Sequence, residues 1–183
     1  MKKGKFVIIS GPSGVGKDTI CDELVKKRVG RYSVSMTTRK KRSTEIEGIS
    51  YFFVSKEEFE RHIEENYFLE YAMYNGNYYG TPNEFIKETT NNGDNVIAVL
   101  EIKGAINAKR IFSNAITIFI MPPSFDELER RLRGRKSEDD NIISERLNIA
   151  KEEIKYKDKY DYIVINNTVD EAVLEIENII NNC

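Results

Sequence analysis

Apolar residues are concentrated in short runs rich in β-forming side chains, and each run precedes a stretch with helical spacing. The runs are KFVIIS, NVIAVLEI, AITIFIM and YDYIVIN, and the stretches that follow are KDTICDELVKK, GAINAKRIF, SFDELERRL and TVDEAVLEIENII. This order of strand and helix is typical of a parallel sheet covered by helices. The pattern therefore predicts an α/β fold with a parallel core sheet of about five strands.

Four positions carry the spacing of a capping box, in which a hydroxyl residue precedes a glutamate by three residues. They are Ser55/Glu58, Thr81-Pro82/Glu84, Ser124/Glu127 and Thr168/Glu171. In that motif the hydroxyl accepts a hydrogen bond from a free backbone N–H of the first helical turn. We therefore predict that a helix begins at each of these positions.

The middle of the chain differs from the rest. Residues 33–92 contain the short aromatic runs YFFV, FLEYAMY and NYYGT, with the helical stretch KEEFERHIEEN between them. They predict a small mixed α/β insertion in a core made of residues 1–32, 93–132 and 142–183. Residues 133–141, RGRKSEDDN, are charged and lack apolar periodicity between two predicted helices, which predicts a lid.

Composition narrows the function classes only slightly. The 183 residues are 40% hydrophobic and 32% charged with a net charge of −2, which fits one globular unit and no generally basic nucleic-acid-binding surface. No apolar run is long enough to span a bilayer. We expect a cytoplasmic protein, monomeric or homodimeric, with no nucleic-acid or membrane partner. Cys21, Cys183 and the one histidine fit neither a disulfide framework nor metal-ligand spacing.

The first predicted strand is followed by GPSGVGK, which matches the phosphate-binding motif G-x-x-x-x-G-K. Its glycines let the backbone turn N–H groups inward, and the following helix presents its positive end to the same place. Lys17 would reach the β- and γ-phosphates of a nucleotide. We predict that a nucleotide is bound here by Gly11, Pro12, Ser13, Gly14, Val15, Gly16, Lys17, Asp18 and Thr19.

Asp18 stands where this motif has a serine or threonine that holds Mg²⁺. A carboxylate is a good ligand for a hard cation and can bind it directly or through water. Asp18 is therefore a candidate metal ligand for Mg²⁺. The alternative is an ordinary exposed acid in the first turn of the helix.

A phosphate-binding loop is shared by motors, GTPases, transporters and kinases, and further motifs decide between them. The segments are SVSMTTRKKRSTEIEGISYFFV, FLEYAMYNGNYYGTP, LEIKGA, IFIMPPSFDELERRLRGR and ISERLNIAKEEI. In this order the chain resembles the guanylate kinase family from the phosphate-binding loop almost to the C-terminus. The resemblance implies a kinase that uses ATP, Mg²⁺ and the acceptor GMP or dGMP, with a core, a GMP-binding domain and a lid.

The resemblance also implies the acceptor site. Arg39, Arg42, Tyr51 and Tyr79 match the positions that hold the GMP phosphate, and Ser35, Glu70 and Thr81 match those that read guanine. A carboxylate can accept hydrogen bonds from N1–H and the N2 amino group of guanine, and a hydroxyl can meet O6. Glu101 matches a second carboxylate of the family in the segment LEIKGA.

By the same resemblance, Arg131, Arg135 and Arg146 close on the phosphates in transfer, and Asn166 lies near the adenine. The acceptor phosphate is already ionised, so the reaction needs charge neutralisation and positioning and no general base. The predicted catalytic residues are therefore Lys17, Arg39, Arg131, Arg135 and Arg146.

Several positions depart from the family's pattern, namely Asp18, Lys41, Thr44, Val99 and Lys103. These departures concern the metal and the lid more than the guanine pocket. Two other functions stay open: a catalytically silent binding module of guanylate-kinase type, and a P-loop kinase with another phosphorylated acceptor. An intact Lys17 argues against the first alternative, and the pair of Glu70 and Thr81 argues against the second.

Overall fold

The structure is a computed structural model that describes residues 3–134 and 140–183. The strands are β1 (Phe6–Ser10), β2 (Arg31–Tyr32), β3 (Met36–Thr37), β4 (Phe52–Phe53), β5 (Phe68–Tyr74), β6 (Asn77–Pro82), β7 (Val96–Val99), β8 (Ile116–Met121) and β9 (Tyr162–Ile165). The helices are α1 (Lys17–Lys26), α2 (Lys56–Glu64), α3 (Asn83–Asn91), α4 (Ile102–Ile111), α5 (Phe125–Arg133), α6 (Asp140–Ile154) and α7 (Val169–Asn182).

Five strands form a parallel core sheet in the order β2-β7-β1-β8-β9. This confirms the predicted α/β fold and its sheet of about five strands. The strand β1 lies at the centre and pairs with β7 on one side and β8 on the other. The edge strand β2 has only two residues, which is too short to produce a hydrophobic pattern.

Each face of the core sheet packs on its own apolar cluster. Val7 and Ile9 of β1 face one cluster together with residues of α1 and α7, whereas Phe6 and Ile8 face a second cluster with residues of α3 and α4. This is the alternation expected of a strand, because successive side chains point to opposite faces. Helices therefore cover both faces, and the carboxyl ends of the strands are left for the site.

The insertion forms a second sheet of four strands in the order β4-β3-β6-β5. Phe59 of α2 is fully buried against it, and its ring stacks on Phe68 and Tyr78 with centroid distances of 4.4 and 5.1 Å. Gly80 leaves room for this stack, since a Cβ there would lie 2.8 Å from the Phe59 ring. The aromatic runs of the sequence thus form the small core of the second sheet.

The second sheet is joined to the core through β5, which packs against α4. Leu69 of β5 is buried in the same cluster as Ile86 of α3 and Ala105 of α4. The pairing of β5 with β6 shifts its register between Phe68 and Glu70, and Glu70 lies opposite Thr81 of β6. The contact between β5 and α4 sets where Glu70 lies relative to the core.

All four predicted helix starts are confirmed, since α2, α3, α5 and α7 begin at Lys56, Asn83, Phe125 and Val169, and the hydroxyl cap is present at three of them. The hydroxyls of Ser55, Ser124 and Thr168 accept hydrogen bonds from backbone N–H groups at the starts of α2, α5 and α7. At α3 the N-cap residue is Pro82, which makes no side-chain cap, and Thr81 lies inside β6. The Thr81 hydroxyl bonds to Glu70 instead, because pairing of β6 with β5 brings those two side chains together.

The predicted lid at 133–141 largely lies outside the described residues, since residues 135–139 are not described. Cys21 is buried and Cys183 is exposed, and both are free thiols, as expected. Among the described residues, no helix combines the length and the apolar character needed to cross a membrane.

The aromatic stack predicts a large stability difference between two phenylalanines of the insertion. Phe59→Ala should lower the free energy of unfolding by about 3–5 kcal/mol, because it leaves a cavity between two rings. Phe52 is 38% exposed, so Phe52→Ala should cost less than about 1 kcal/mol. Urea unfolding followed by circular dichroism measures both values. Equal losses would contradict the assignment of Phe59 as the centre of this core.

Candidate functional site

The phosphate-binding motif forms the turn between β1 and α1, as the sequence predicted. Gly11, Gly14 and Gly16 have φ angles of 148°, 86° and 99°, which side chains with a Cβ rarely adopt. A Cβ on Gly11 would also lie 2.4 Å from the carbonyl oxygen of Ile120 in β8. The loop therefore needs glycine both for its conformation and for its close approach to the sheet.

Lys17 is the first residue of α1 and folds back over this loop. Its Nζ donates to the carbonyl oxygens of Gly11 and Pro12 at 2.5 and 3.0 Å. Neutral carbonyls are weaker partners for an ammonium group than phosphate oxygens, because charge-assisted hydrogen bonds are the stronger ones. The lysine is thus held at the loop by bonds that an incoming phosphate can replace.

Asn166 and Arg131 connect two distant segments to the same loop. The Asn166 Nδ2 donates to the carbonyl oxygen of Val15 at 2.7 Å, and the Arg131 guanidinium donates to that oxygen at 3.3 Å and to the Asn166 carbonyl oxygen at 3.0 Å. Arg131 is also paired with Glu127 at 2.8 Å. Hydrogen bonds from Arg130 and Arg131 lower the pKa of Glu127 to about 2. Arg131 is therefore oriented towards the phosphate-binding loop before any ligand arrives.

A cavity lies between the second sheet and the carboxyl end of β7. It brings together six of the residues predicted for the acceptor, namely Ser35, Tyr51, Glu70, Tyr79, Thr81 and Glu101. The remaining lining residues are Ala72, Tyr74, Gly80, Val99 and Leu100. These positions are far apart in the sequence and meet where the second sheet joins the core through the contact of β5 with α4. The lining combines carboxylates, hydroxyls and aromatic rings, which suits a planar base with several hydrogen-bonding groups.

Glu70 is the most buried acid of this cavity, with 7% of its surface exposed. Its Oε1 accepts a hydrogen bond of 2.7 Å from the Thr81 hydroxyl. Burial disfavours the charged carboxylate and raises the pKa of Glu70 to about 7, against the effect of the Thr81 hydrogen bond. The carboxylate is thus short of hydrogen-bond donors and is suited to a ligand that supplies them.

Arg39 and Arg42 lie beside the cavity and do not line it. Arg39 makes two hydrogen bonds to Glu45, at 2.6 and 3.1 Å, and its guanidinium lies 5.5 Å from the centre of the Tyr51 ring. The Arg39 hydrogen bonds lower the pKa of Glu45. Arg42 has an exposed side chain and donates its backbone N–H to Glu45 at 2.7 Å. The sequence reasoning missed Glu45, although it follows Arg39 within one loop.

The helix α6 faces the site with two charged residues. Arg146 is half-buried. Burial, and then the charges of Glu101, Glu153 and Tyr79, raise the pKa of Tyr74, and the positive charge of Arg146 opposes this rise. Burial and the charge of Glu101 raise the pKa of Glu153 to about 7, against Lys17 and a hydrogen bond from the Ser13 backbone. Glu153 therefore lies beside the phosphate-binding loop. No signal in the sequence marks Glu153, because the segment KEEI is typical of a solvated helical face.

Asp18 and Thr19 are exposed in the first turn of α1. Burial raises the pKa of Tyr51 to about 12, and the charges of Tyr79 and Asp18 add to this rise. Arg135 lies outside the described residues. In the described ranges 3–134 and 140–183, no group of three His, Cys, Asp or Glu side chains could enclose a metal ion.

The site therefore joins a glycine loop of the phosphate-binding type, at which Lys17 and Arg131 lie, to a cavity lined by carboxylates, hydroxyls and aromatic rings. The loop lies at the carboxyl end of a central parallel strand, where α/β proteins bind their ligands. Such an arrangement can hold two nucleotides in one site with a cationic lining for the phosphates. This fold and site define the class of P-loop nucleoside monophosphate kinases.

Comparison with known proteins supports this class. The family model described as guanylate kinase matches residues 3–183. The guanylate kinase of Halalkalibacterium halodurans is 46% identical over 98% of this chain and 88% of its own length, and that of Clostridium acetobutylicum is 48% identical over 98% and 86%. The crystal structure of guanylate kinase from Anaplasma phagocytophilum has a TM-score of 0.83 at 32% identity, covering 99% of this chain and 86% of its own.

The chain belongs to the guanylate kinase family. Guanylate kinase activity, an ATP-dependent phosphotransfer to a nucleoside monophosphate, is therefore its function. The resemblance inferred from the sequence motifs is confirmed.

The raised pKa of Glu70 predicts a pH-dependent stability. An exposed glutamate has a pKa near 4.5, so between about pH 4.5 and 7 the unfolded chain loses the Glu70 proton first and stability falls as pH rises. Glu70→Gln should remove this loss, so above pH 7 its free energy of unfolding should exceed that of the wild type by up to about 2–3 kcal/mol. Urea unfolding between pH 4.5 and 8 measures the difference, with the exposed Glu84→Gln as control. Parallel profiles for wild type and Glu70→Gln would contradict the prediction.

Proposed function

We propose that the chain transfers the γ-phosphoryl group of ATP to GMP or dGMP, with Mg²⁺, in the cytoplasm, and releases ADP with GDP or dGDP. The observation that carries the choice of acceptor is the buried Glu70 carboxylate bonded to Thr81 in a cavity next to the phosphate-binding loop. The residue roles below are parts of this proposal.

The guanine base is read by the two polar groups at the bottom of the cavity. The Glu70 carboxylate accepts hydrogen bonds from N1–H and the N2 amino group, and the base thereby satisfies a buried acid. The Thr81 hydroxyl now donates to Glu70, and it can rotate towards O6 once the base occupies the carboxylate. Ser35, also in the lining, adds a second hydroxyl. Adenine has an unprotonated N1 and no N2 amino group, so Glu70 would stay unpaired.

The acceptor phosphate is held by Arg39, Arg42, Tyr51 and Tyr79. Arg39 packs over the Tyr51 ring, and Tyr51 and Tyr79 lie in contact with a centroid distance of 6.0 Å. A guanidinium can bind a phosphate through two parallel hydrogen bonds, as it now binds Glu45. Glu45 therefore keeps Arg39 oriented until the phosphate arrives. Glu101 lines the same cavity and contacts the acceptor from the core side.

The transferred group is surrounded by cations. Lys17 binds the β- and γ-phosphates, Arg131 approaches from α5 and Arg146 from α6, and Arg135 completes the predicted set. Charge spreads over the equatorial oxygens of the phosphoryl group during transfer, and fixed positive charges stabilise it. The acceptor oxygen is already ionised, so none of these residues has to remove a proton. Asn166 holds the loop at Val15 and lies next to the adenine.

Asp18 is the residue of this chain that would hold Mg²⁺. It is exposed, follows Lys17 directly and has the oxygen ligands that this cation prefers. When bound, Mg²⁺ supplies positive charge to the phosphate oxygens. A carboxylate at this position repels a polyphosphate in the absence of the cation. ATP binding should accordingly depend more strongly on free Mg²⁺ than it would with a serine at position 18.

The first experiment tests how the acceptor is recognised. ADP release is measured with GMP, dGMP, AMP, CMP and UMP for the wild type, Glu70→Gln and the exposed control Glu84→Gln. Glu70→Gln should reduce kcat/KM for GMP by about 2–4 kcal/mol in transition-state terms, because it loses an acceptor for the base. The KM for ATP should stay within about twofold. An unchanged kcat/KM for GMP would show that guanine is read elsewhere.

The second experiment separates the roles of Lys17 and Asp18. Lys17→Ala should lower kcat by about 10²–10³, because it removes a charge that stabilises the transition state. Asp18→Ser should keep kcat within about tenfold and shift the Mg²⁺ concentration required for half-maximal activity. Titration of activity with Mg²⁺ at fixed ATP measures both effects. An unshifted titration would leave Asp18 as an ordinary surface acid.

A further inference from the structure

Gly104 lies in a position where helix formation alone would favour a different residue. It is the third residue of α4 and is buried, and its φ is not among the positive ones. Alanine is more favourable than glycine at an ordinary helical position, because glycine loses more backbone freedom on folding. The backbone of α4 therefore does not explain a glycine here, and the explanation has to come from a neighbouring group.

That neighbour is the carboxylate of Glu70. A Cβ at Gly104 would lie 2.6 Å from Oε2, 3.1 Å from Cδ and 3.4 Å from Oε1 of Glu70. The first distance is well inside van der Waals contact, so a methyl group and the carboxylate cannot occupy their present places together. The contact joins β5 of the second sheet to α4 of the core, the two elements through which these parts of the molecule pack.

The carboxylate is thus confined from two directions. The Thr81 hydroxyl bonds to Oε1 at 2.7 Å from β6, and the bare backbone of Gly104 faces Oε2 from α4. The first turn of a helix carries partial positive charge, which is favourable beside a carboxylate. Moving Glu70 away from Gly104 would therefore alter both its position in the cavity and its hydrogen bond to Thr81.

We propose that Gly104 is a positioning residue for guanine recognition: its missing side chain makes the space in which the Glu70 carboxylate lies when it reads the base. The inference rests on the proposed role of Glu70 as the acceptor of guanine N1–H and N2. A methyl group at position 104 displaces the end of a flexible side chain and leaves the backbones of α4 and β5 in place. The substitution then keeps the fold and displaces the Glu70 carboxylate.

Gly104→Ala tests this separation of stability from recognition. The melting temperature should be unchanged or higher, since alanine favours the helix. The KM for GMP should rise about tenfold or more, with kcat and the KM for ATP within about threefold, because binding of the base is lost and not the chemistry. The control is Asn107→Ala, which places an alanine at an exposed position of the same helix and should leave both KM values unchanged.

A double-mutant cycle with Glu70→Gln shows whether Gly104 acts through Glu70. If it does, adding Gly104→Ala to Glu70→Gln should change the KM for GMP by less than about threefold, because coupled residues have non-additive effects. Fully additive effects would overturn the inference, and so would a melting temperature lowered by more than about 5 °C, a shift that corresponds to backbone displacement.

The outcomes also separate this inference from the proposed function. A wild-type KM for GMP in Gly104→Ala, together with a large loss in Glu70→Gln, would overturn the role of Gly104 and leave guanine reading by Glu70 intact. Unchanged GMP use in both variants would overturn the two assignments together. An increased KM for GMP in both single variants, without additivity in the double variant, supports both.

Discussion

The packing of β5 against α4 is the constraint on which the active site depends. The core alone provides a triphosphate-binding loop, and the second sheet alone provides hydroxyls and aromatic rings. Leu69 is buried in a cluster of the core, and Glu70, which follows a shift in the β5–β6 register, lines a cavity together with Val99 and Glu101 of the core. This contact between the two parts thereby sets where Glu70 lies relative to the phosphate-binding loop.

The buried Glu70 illustrates a conflict between stability and function. A carboxylate that is 7% exposed, with one hydroxyl as its hydrogen-bond donor among the described residues, is unfavourable in the empty protein, and its pKa of about 7 reflects this. Under the proposed function a guanine base provides the missing donors, so the energetic penalty of the empty site becomes selectivity in the occupied one. A surface acid could bind guanine too, but it would discriminate weakly because water would satisfy it with any base.

The cations of the site are held by protein acceptors in the absence of phosphate. Arg39 is paired with Glu45, Arg131 with Glu127 and the Val15 carbonyl, and Lys17 with the carbonyls of Gly11 and Pro12. These bonds reduce the rotamer freedom that binding would otherwise have to remove. They also limit repulsion between neighbouring positive charges. Under the proposed function, ligand binding exchanges these protein acceptors for phosphate oxygens around side chains that are already oriented.

The sequence by itself determined the parallel sheet, three of the helix caps and the phosphate-binding loop. Each of these depends on residues close together in the chain, through hydrophobic periodicity, backbone propensity or the conformational freedom of glycine. The family motifs also identified six residues, predicted for the acceptor, that the structure brings together in one cavity. Only the tertiary structure decided that Thr81 bonds to Glu70 and does not cap α3, and that Glu153 and Gly104 border the site. Those roles depend on which side chains two separate elements bring into contact, and a local pattern carries no record of such a partner.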